Sequence, residues 1–201
     1  MSAIATPPSQ AGSFGKRLDI GLALKQGARL FFKDLGALII AALIAGALSI
    51  VTLGILAGPL FAGLYGMVIG RVRDGRQPRV DDVFACLDRV WSYLGAALVL
   101  GLLIGLASIT IVGGFALATI WLYVFPLMVD RGMGLGEAMK TSKDLVMKAG
   151  FWEHLALVVV IFVIASVANG ALAILAVPFI IVAVIAAYCL AQGQEEALAR
   201  A

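Results

Sequence analysis

The chain has 201 residues, of which 62% are hydrophobic and 13% charged, with a mean hydropathy of +1.05. That composition excludes a soluble globular domain. The net charge of +3 comes from 15 basic and 12 acidic residues that interleave, which speaks against nucleic-acid binding, and a single histidine excludes a His-cluster metal site.

In chain order, residues 1–15 are rich in Ser, Ala and Pro and have neither a basic n-region nor an apolar h-region, so they read as a disordered cytosolic tail with no cleavable signal. All 27 charges then fall into four windows, Lys16–Asp34, Arg71–Arg89, Asp130–Glu153 and Glu195–Arg200. Between them run three uncharged stretches, Leu35–Gly70, Val90–Val129 and His154–Gln194. Each is about twice the roughly 20 residues that span a bilayer core, so each predicts a helical hairpin. Read as single passes, the stretches would put basic residues on alternating sides of the membrane. Read as hairpins, they put every Lys and Arg on one side, as the positive-inside rule requires.

Ahead of each hairpin lies an amphipathic stretch with helical spacing. The apolar positions are Leu24, Ala28, Phe31, Phe32 and Leu35 in the first, Val83, Phe84, Leu87, Val90, Trp91 and Leu94 in the second, and Ala138, Met139, Ser142, Leu145, Val146 and Ala149 in the third. Opposite them stand Lys25, Arg29 and Lys33, then Asp82, Asp88 and Arg89, then Lys140, Lys143, Asp144 and Lys148. Such helices lie in the interface plane. Aligned on Gly36, Gly95 and Gly150, the three segments repeat with a period of 55 to 59 residues. The unit is one interfacial helix followed by two spans, and triplication predicts a pseudo-threefold bundle. The far-side turns fall near Thr52–Gly54, Val112–Gly114 and Asn169–Gly170 and carry no charge. Pro59, Pro126 and Pro178 fall in the second span of each hairpin and are expected to kink it. Small residues recur every four positions at Ala62/Gly66/Gly70, Ala97/Gly101/Gly105 and Ala183/Ala187/Ala191, the pattern of close helix packing, expected within the chain.

Little chemistry is visible. Cys86 and Cys189 lack ligand spacing and read as apolar fillers. No catalytic, cofactor-binding or metal-binding set emerges, and no cofactor is expected. Arg71, Arg73, Arg76 and Arg79 form the densest basic run. They are a topology signal and candidate contacts for anionic phospholipid headgroups. Asp130, Glu153 and His154 form a polar cluster, read as marking the water boundary with Trp152 as an aromatic anchor, the alternative being a proton or cation site.

Two segments carry a family resemblance. Gly58-Pro-Leu-Phe-Ala-Gly-Leu-Tyr-Gly66, followed by a basic loop and Asp81-Asp-Val-Phe84, is one. Phe125-Pro-Leu-Met-Val-Asp-Arg-Gly132, followed by Glu137-Ala-Met-Lys-Thr-Ser142, is the other. They resemble uncharacterised bacterial integral membrane proteins of the YciC-like kind and the membrane domain attached to some glycerophosphodiester phosphodiesterases. The resemblance covers roughly residues 20–190. It implies a polytopic fold and no activity, and the acidic and histidine residues of a phosphodiesterase site are absent.

The expected protein is therefore an all-α, six-span bundle over residues 16–194 with three cytosolic interfacial helices and a cytosolic tail over 195–201. It is multi-pass in a bacterial inner membrane with both termini cytosolic. Its expected role is a non-enzymatic scaffold, assembly or lipid-organising component whose partners are the bilayer and a membrane protein or a second copy. A small transporter or channel is the alternative.

Overall fold

A computed structural model describes residues 17–168 and 171–201. The expected N-terminal tail, Lys16 and the turn at Asn169–Gly170 lie outside the described residues. Among the described residues every regular element is helical: α1 Ile20–Lys33, α2 Leu35–Val51, α3 Ala57–Asp74, α4 Val90–Ala107, α5 Ile111–Ile120, α6 Val124–Arg131, α7 Leu135–Ala149, α8 Phe151–Val167, α9 Ala171–Ala191 and α10 Glu195–Arg200. Two 3₁₀ turns, Val80–Phe84 and Leu87–Arg89, lead into α4.

The bends between elements follow from local chemistry. Asp19 caps α1 by accepting from the Leu22 N–H at 2.9 Å. One residue beyond Lys33 the chain turns through 89° into the uncharged α2, because the amphipathic face of α1 and the wholly apolar α2 want different surroundings. The same happens between α7 and α8, at 107°, where Gly150 takes φ 105° and the Glu153 carboxylate folds over its Cα. The positive φ is what calls for glycine here, since a Cβ would only push the flexible Glu153 carboxylate aside.

Helices α1 and α7 bury the same register. Ala23, Gly27, Leu30 and Phe31 turn inward in one, and Ala138, Ser142, Leu145 and Val146 in the other, both at i, i+4, i+7, i+8. The second amphipathic stretch differs from expectation, since Val80–Arg89 forms 3₁₀ turns and not an α-helix. Two carboxylates, Asp81 and Asp82, sit in its first turn, and Asp82 accepts from the Arg79 N–H, holding the chain in a tight non-α path. Gly36 and Gly95 fall inside α2 and α4 whereas Gly150 precedes α8, so the glycines used for alignment do not mark one structural position.

Packing follows a regular order. Helix α1 lies on α9, the Val80–Phe84 turn on α3, and α7 on α6. Each first arm also touches two partners: α2 packs on α3 and α9, α4 on α5 and α3, α8 on α9 and α5. Helices α2, α4 and α8 expose apolar side chains such as Ile40, Leu98, Leu102 and Phe162, while α3, the Tyr123–Met128 segment and residues 181–191 of α9 supply the core. The helices α3 and α6, and the C-terminal turn of α9, all end on a left-handed glycine, Gly75, Gly132 and Gly193 respectively. Residues 195–200 are ordered as α10, with Leu198 buried.

Three segments are long and apolar enough to cross a membrane: Val80–Ala107 (counted with its 3₁₀ turns), Ile111–Arg131 and Leu172–Ala191. Taking each bent pair as one span raises the number to five. The other arms fall short for simple reasons: α2 and α8 have 17 residues each, and the last turn of α3 carries Arg71, Arg73 and Asp74. The regular structure of the described residues is thus all helical, with three to five segments long and apolar enough to cross a membrane.

The prolines divide. Pro59 occupies the first turn of α3, where a missing N–H costs nothing, Pro126 follows the break at residues 121–123 within the Ile111–Arg131 segment, and Pro178 sits inside α9. The small-residue stripes also divide. Gly66 meets Val129, and Ala183 and Ala187 are buried, but Gly101 and Gly105 on α4 face open space, so that stripe makes no contact within the chain.

Candidate functional site

The charged windows meet at one end of the molecule. Arg71 pairs with Asp34 at 2.9 Å, Arg73 with Asp130 at 2.6 Å and Arg17 with Glu153 at 3.6 Å, joining the first window to the second, the second to the third, and the third to the first. Leu18 N–H donates to Ala149 O at 2.9 Å, and Lys33 Nζ donates to Ala201 O. The first three windows are therefore joined by ion pairs, and the first also reaches Ala201, just beyond the fourth.

The four arginines proposed for headgroups are each matched by a carboxylate. Besides the two pairs above, Arg76 meets Asp82 at 2.9 Å and Arg79 meets Asp81 at 3.6 Å. Arg71 and Arg73 lie inward and tie α3 to the α1–α2 corner and to α6, whereas Arg76 and Arg79 remain largely exposed and free to reach a surface. Exposed cations without a carboxylate on their own helix stand on α1, at Lys25 and Arg29.

Asp130, Glu153 and His154 are not brought together. Glu153 turns to Arg17, at the rim. The Asp130 side chain is 1% exposed and one of its oxygens, Oδ2, accepts both from Arg73 and from the Tyr188 hydroxyl at 2.7 Å. His154 is fully buried, its Nδ1 against Gly150 O and its ring 5.5 Å from that of Tyr123, edge to face. Asp130 and His154 are thus buried within the protein, while Glu153 stays at the rim. Tyr123 in turn lies 5.5 Å from Tyr188. A line of buried polar side chains thus runs from His154 through Tyr123 and Tyr188 to Asp130 and out to Arg73, which is about one-third exposed. Tyr123 Oη and His154 Nε2 have no protein hydrogen-bond partner.

Ser142 completes this region. Pro126 supplies no N–H to the helix before it, and the α5–α6 segment breaks at residues 121–123. The Ser142 hydroxyl enters the break, donating to Ile120 O at 2.8 Å and accepting from Tyr123 N–H at 3.2 Å. Fully buried Ala138, one turn earlier, lets α7 approach closely enough for this. The sequence pairing of a Pro-Leu segment with an Ala-x-x-x-Ser helix thereby acquires a physical role.

On the same end, a cavity of about 330 Å³ opens between α4, α6 and α7, lined by Arg89, Ser92, Tyr93, Met128, Met133 and Leu135 among others. Among the described residues no three of His, Cys, Asp and Glu converge as metal ligands. Reading the sequence missed Tyr188 and the inward role of Arg73. An aromatic hydroxyl in a long apolar helix, with an acid beside a second helix end, was the available signal. No protein-family model, curated protein or solved structure matches the chain.

Proposed function

We propose that this protein is a non-enzymatic scaffold of the bacterial inner membrane that organises anionic lipid or holds a membrane partner. The observation that carries the reading is the filled centre of the bundle. Tyr123, Tyr188, Leu60, Leu64, Met67, Leu127, Leu157 and Ile185 are among the largest fully buried side chains, and they occupy the space a permeation path would need. Exposed Lys25, Arg29, Lys140, Lys143 and Lys148 at the charged end stand beside outward-facing Phe32, Trp91 and Trp152, a pairing suited to anionic headgroups and the interfacial zone.

The same proposal takes the chain as six spans in three copies of one unit, with both termini and all charge in the cytosol. What supports triplication is the cyclic packing, in which each interfacial segment lies on the second arm of the preceding unit, and the left-handed glycine after each second arm. Kinship with YciC-like membrane proteins rests on the two motifs, and the contact of Ser142 with the helix break is its best support.

Transport is the second reading, favoured by the buried line from His154 to Arg73. Purified protein in proteoliposomes with mixed zwitterionic and anionic lipid separates the two. A scaffold retains anionic lipid through purification, detected by native mass spectrometry, and loses it when Lys25, Arg29, Lys140, Lys143 and Lys148 are changed to Gln. Proton flux under an imposed gradient that disappears in His154→Ala would replace this reading with transport.

A further inference from the structure

We infer that the two described hairpin tips, at residues 52–56 and 108–110 at the uncharged end of the molecule, do not emerge into water but insert among the acyl chains of the far leaflet. Their side chains are the first reason. Leu53 is 93% exposed, Ile109 83% and Val112 80%, with Ile50, Val51 and Ile111 similarly bare. Leu53 and Ile109 lie in the connections themselves, Ile50 and Val51 in the last turn of α2, and Ile111 and Val112 in the first turn of α5, so the bare apolar surface runs from the helix ends across both turns. Exposed apolar surface on this scale marks a contact with another apolar phase.

Backbone bonding is the second and independent reason. Every N–H from Thr52 to Ala57 has an acceptor inside the hairpin: Thr52 to Leu48 O, Leu53 to Ile50 O, Gly54 to Ser49 O, Ile55 to Thr52 O, Leu56 to the Thr52 hydroxyl and Ala57 to Gly54 O. The next tip serves Ser108, Ile109 and Thr110 in this way, while the N–H groups that open α5 at Ile111–Gly113 have no side-chain cap. A turn in water has no need of this, because solvent serves its backbone, whereas in hydrocarbon each unserved group is costly. The hydroxyls at the ends of the first arms also turn inward. Ser49 donates to Ala45 O, Thr52 to Leu48 O, Ser108 to Ile104 O, Thr110 to Ala107 O and Ser166 to Phe162 O, so these hydroxyls find their acceptors on the local backbone and need none from lipid. Leu53 holds φ 51°, a left-handed conformation that a leucine avoids, and keeping it there places a bulky apolar side chain at the apex.

Length is the third. The 17 residues of α2 and α8 and the 18 of α4 rise about 26–27 Å, against a hydrocarbon core of about 30 Å. With the charged end held at one headgroup layer, these arms end below the other, while Ile111–Arg131 and Leu172–Ala191, at 21 and 20 residues, just match the core. The tips therefore lie at the outer edge of the hydrocarbon, and a slight thinning of the bilayer keeps lipid tails against them. The inference holds for a scaffold and a transporter alike.

The test uses full-length protein with Cys86→Ala and Cys189→Ala, carrying Leu53→Cys or Val112→Cys and reconstituted in vesicles. A membrane-impermeant maleimide added from the uncharged side should react at least about tenfold more slowly than after detergent solubilisation, because the thiol sits in hydrocarbon. A bimane at the same positions should be quenched by lipids with a nitroxide on the acyl chain and not by aqueous iodide. Reaction within a few-fold of the detergent rate, or quenching by iodide, would overturn the inference. Lys143→Cys, labelled from the charged side, reports the topology separately, so an error in topology and an error at the tips appear at different positions.

Discussion

Asp130 is the residue whose environment most constrains the rest. A carboxylate with 1% of its side chain exposed is tolerated only when paired and hydrogen-bonded, and Arg73 and Tyr188 supply both through a single oxygen. Removing the cation strands the charge. Arg73→Met should therefore cost about 3–5 kcal/mol of unfolding free energy, while Asp130→Asn, which still accepts from Tyr188, should cost less. The double variant should resemble Asp130→Asn alone. Denaturant unfolding in detergent micelles checks this, and an Arg73→Met loss no larger than that of Asp130→Asn would remove the pair from its structural role. In the sequence Asp130 looked like a boundary marker because it closes an uncharged stretch. Its partner stands 57 positions away, and the tyrosine 58, in helices whose rotation about their own axes periodicity alone does not define.

Among the elements, the contact of α3 with the 3₁₀ turn at Val80–Phe84 shows how glycine sets distance. A Cβ at Gly63 would stand 2.1 Å from Val83 O, which no side-chain movement relieves because the opposing atom is backbone. Gly63→Ala should cost about 1–3 kcal/mol and displace the turn. Gly101→Ala, on a face with nothing within 4 Å, should be neutral or gain up to about 1 kcal/mol from helix propensity. Thermal unfolding of the two variants side by side is the measurement, and equal effects would contradict the packing. The small-residue repeat was legible in the sequence at Gly101, whereas Gly63 lay outside the Ala62/Gly66/Gly70 stripe and was not marked by it. Which stripe met a neighbour was not legible, since a four-residue period records one helix face without recording what lies opposite. The second amphipathic stretch failed as a helix for a similar reason: its apolar spacing was helical, but Asp82 bonded to the Arg79 N–H drew the chain into 3₁₀ turns.

For the molecule as a whole, charge segregation is the organising fact, and it was plain in the sequence because a bilayer excludes charge more strictly than any soluble core does. The number of spans was less plain, since arms of 17 residues and a charged last turn on α3 leave lengths that sequence and geometry both place at the margin. The central claim of the proposal is that all four charged windows share one side of the membrane, and the ion pairs that join the first three support it. The measurement that tests it most directly is labelling of single cysteines at Lys25, Arg79, Lys143 and Glu196, in a background of Cys86→Ala and Cys189→Ala, with an impermeant maleimide applied to right-side-out and inside-out vesicles. All four should react in inside-out vesicles and be protected in right-side-out ones. Any one of them reacting from the opposite side to the others would contradict the account.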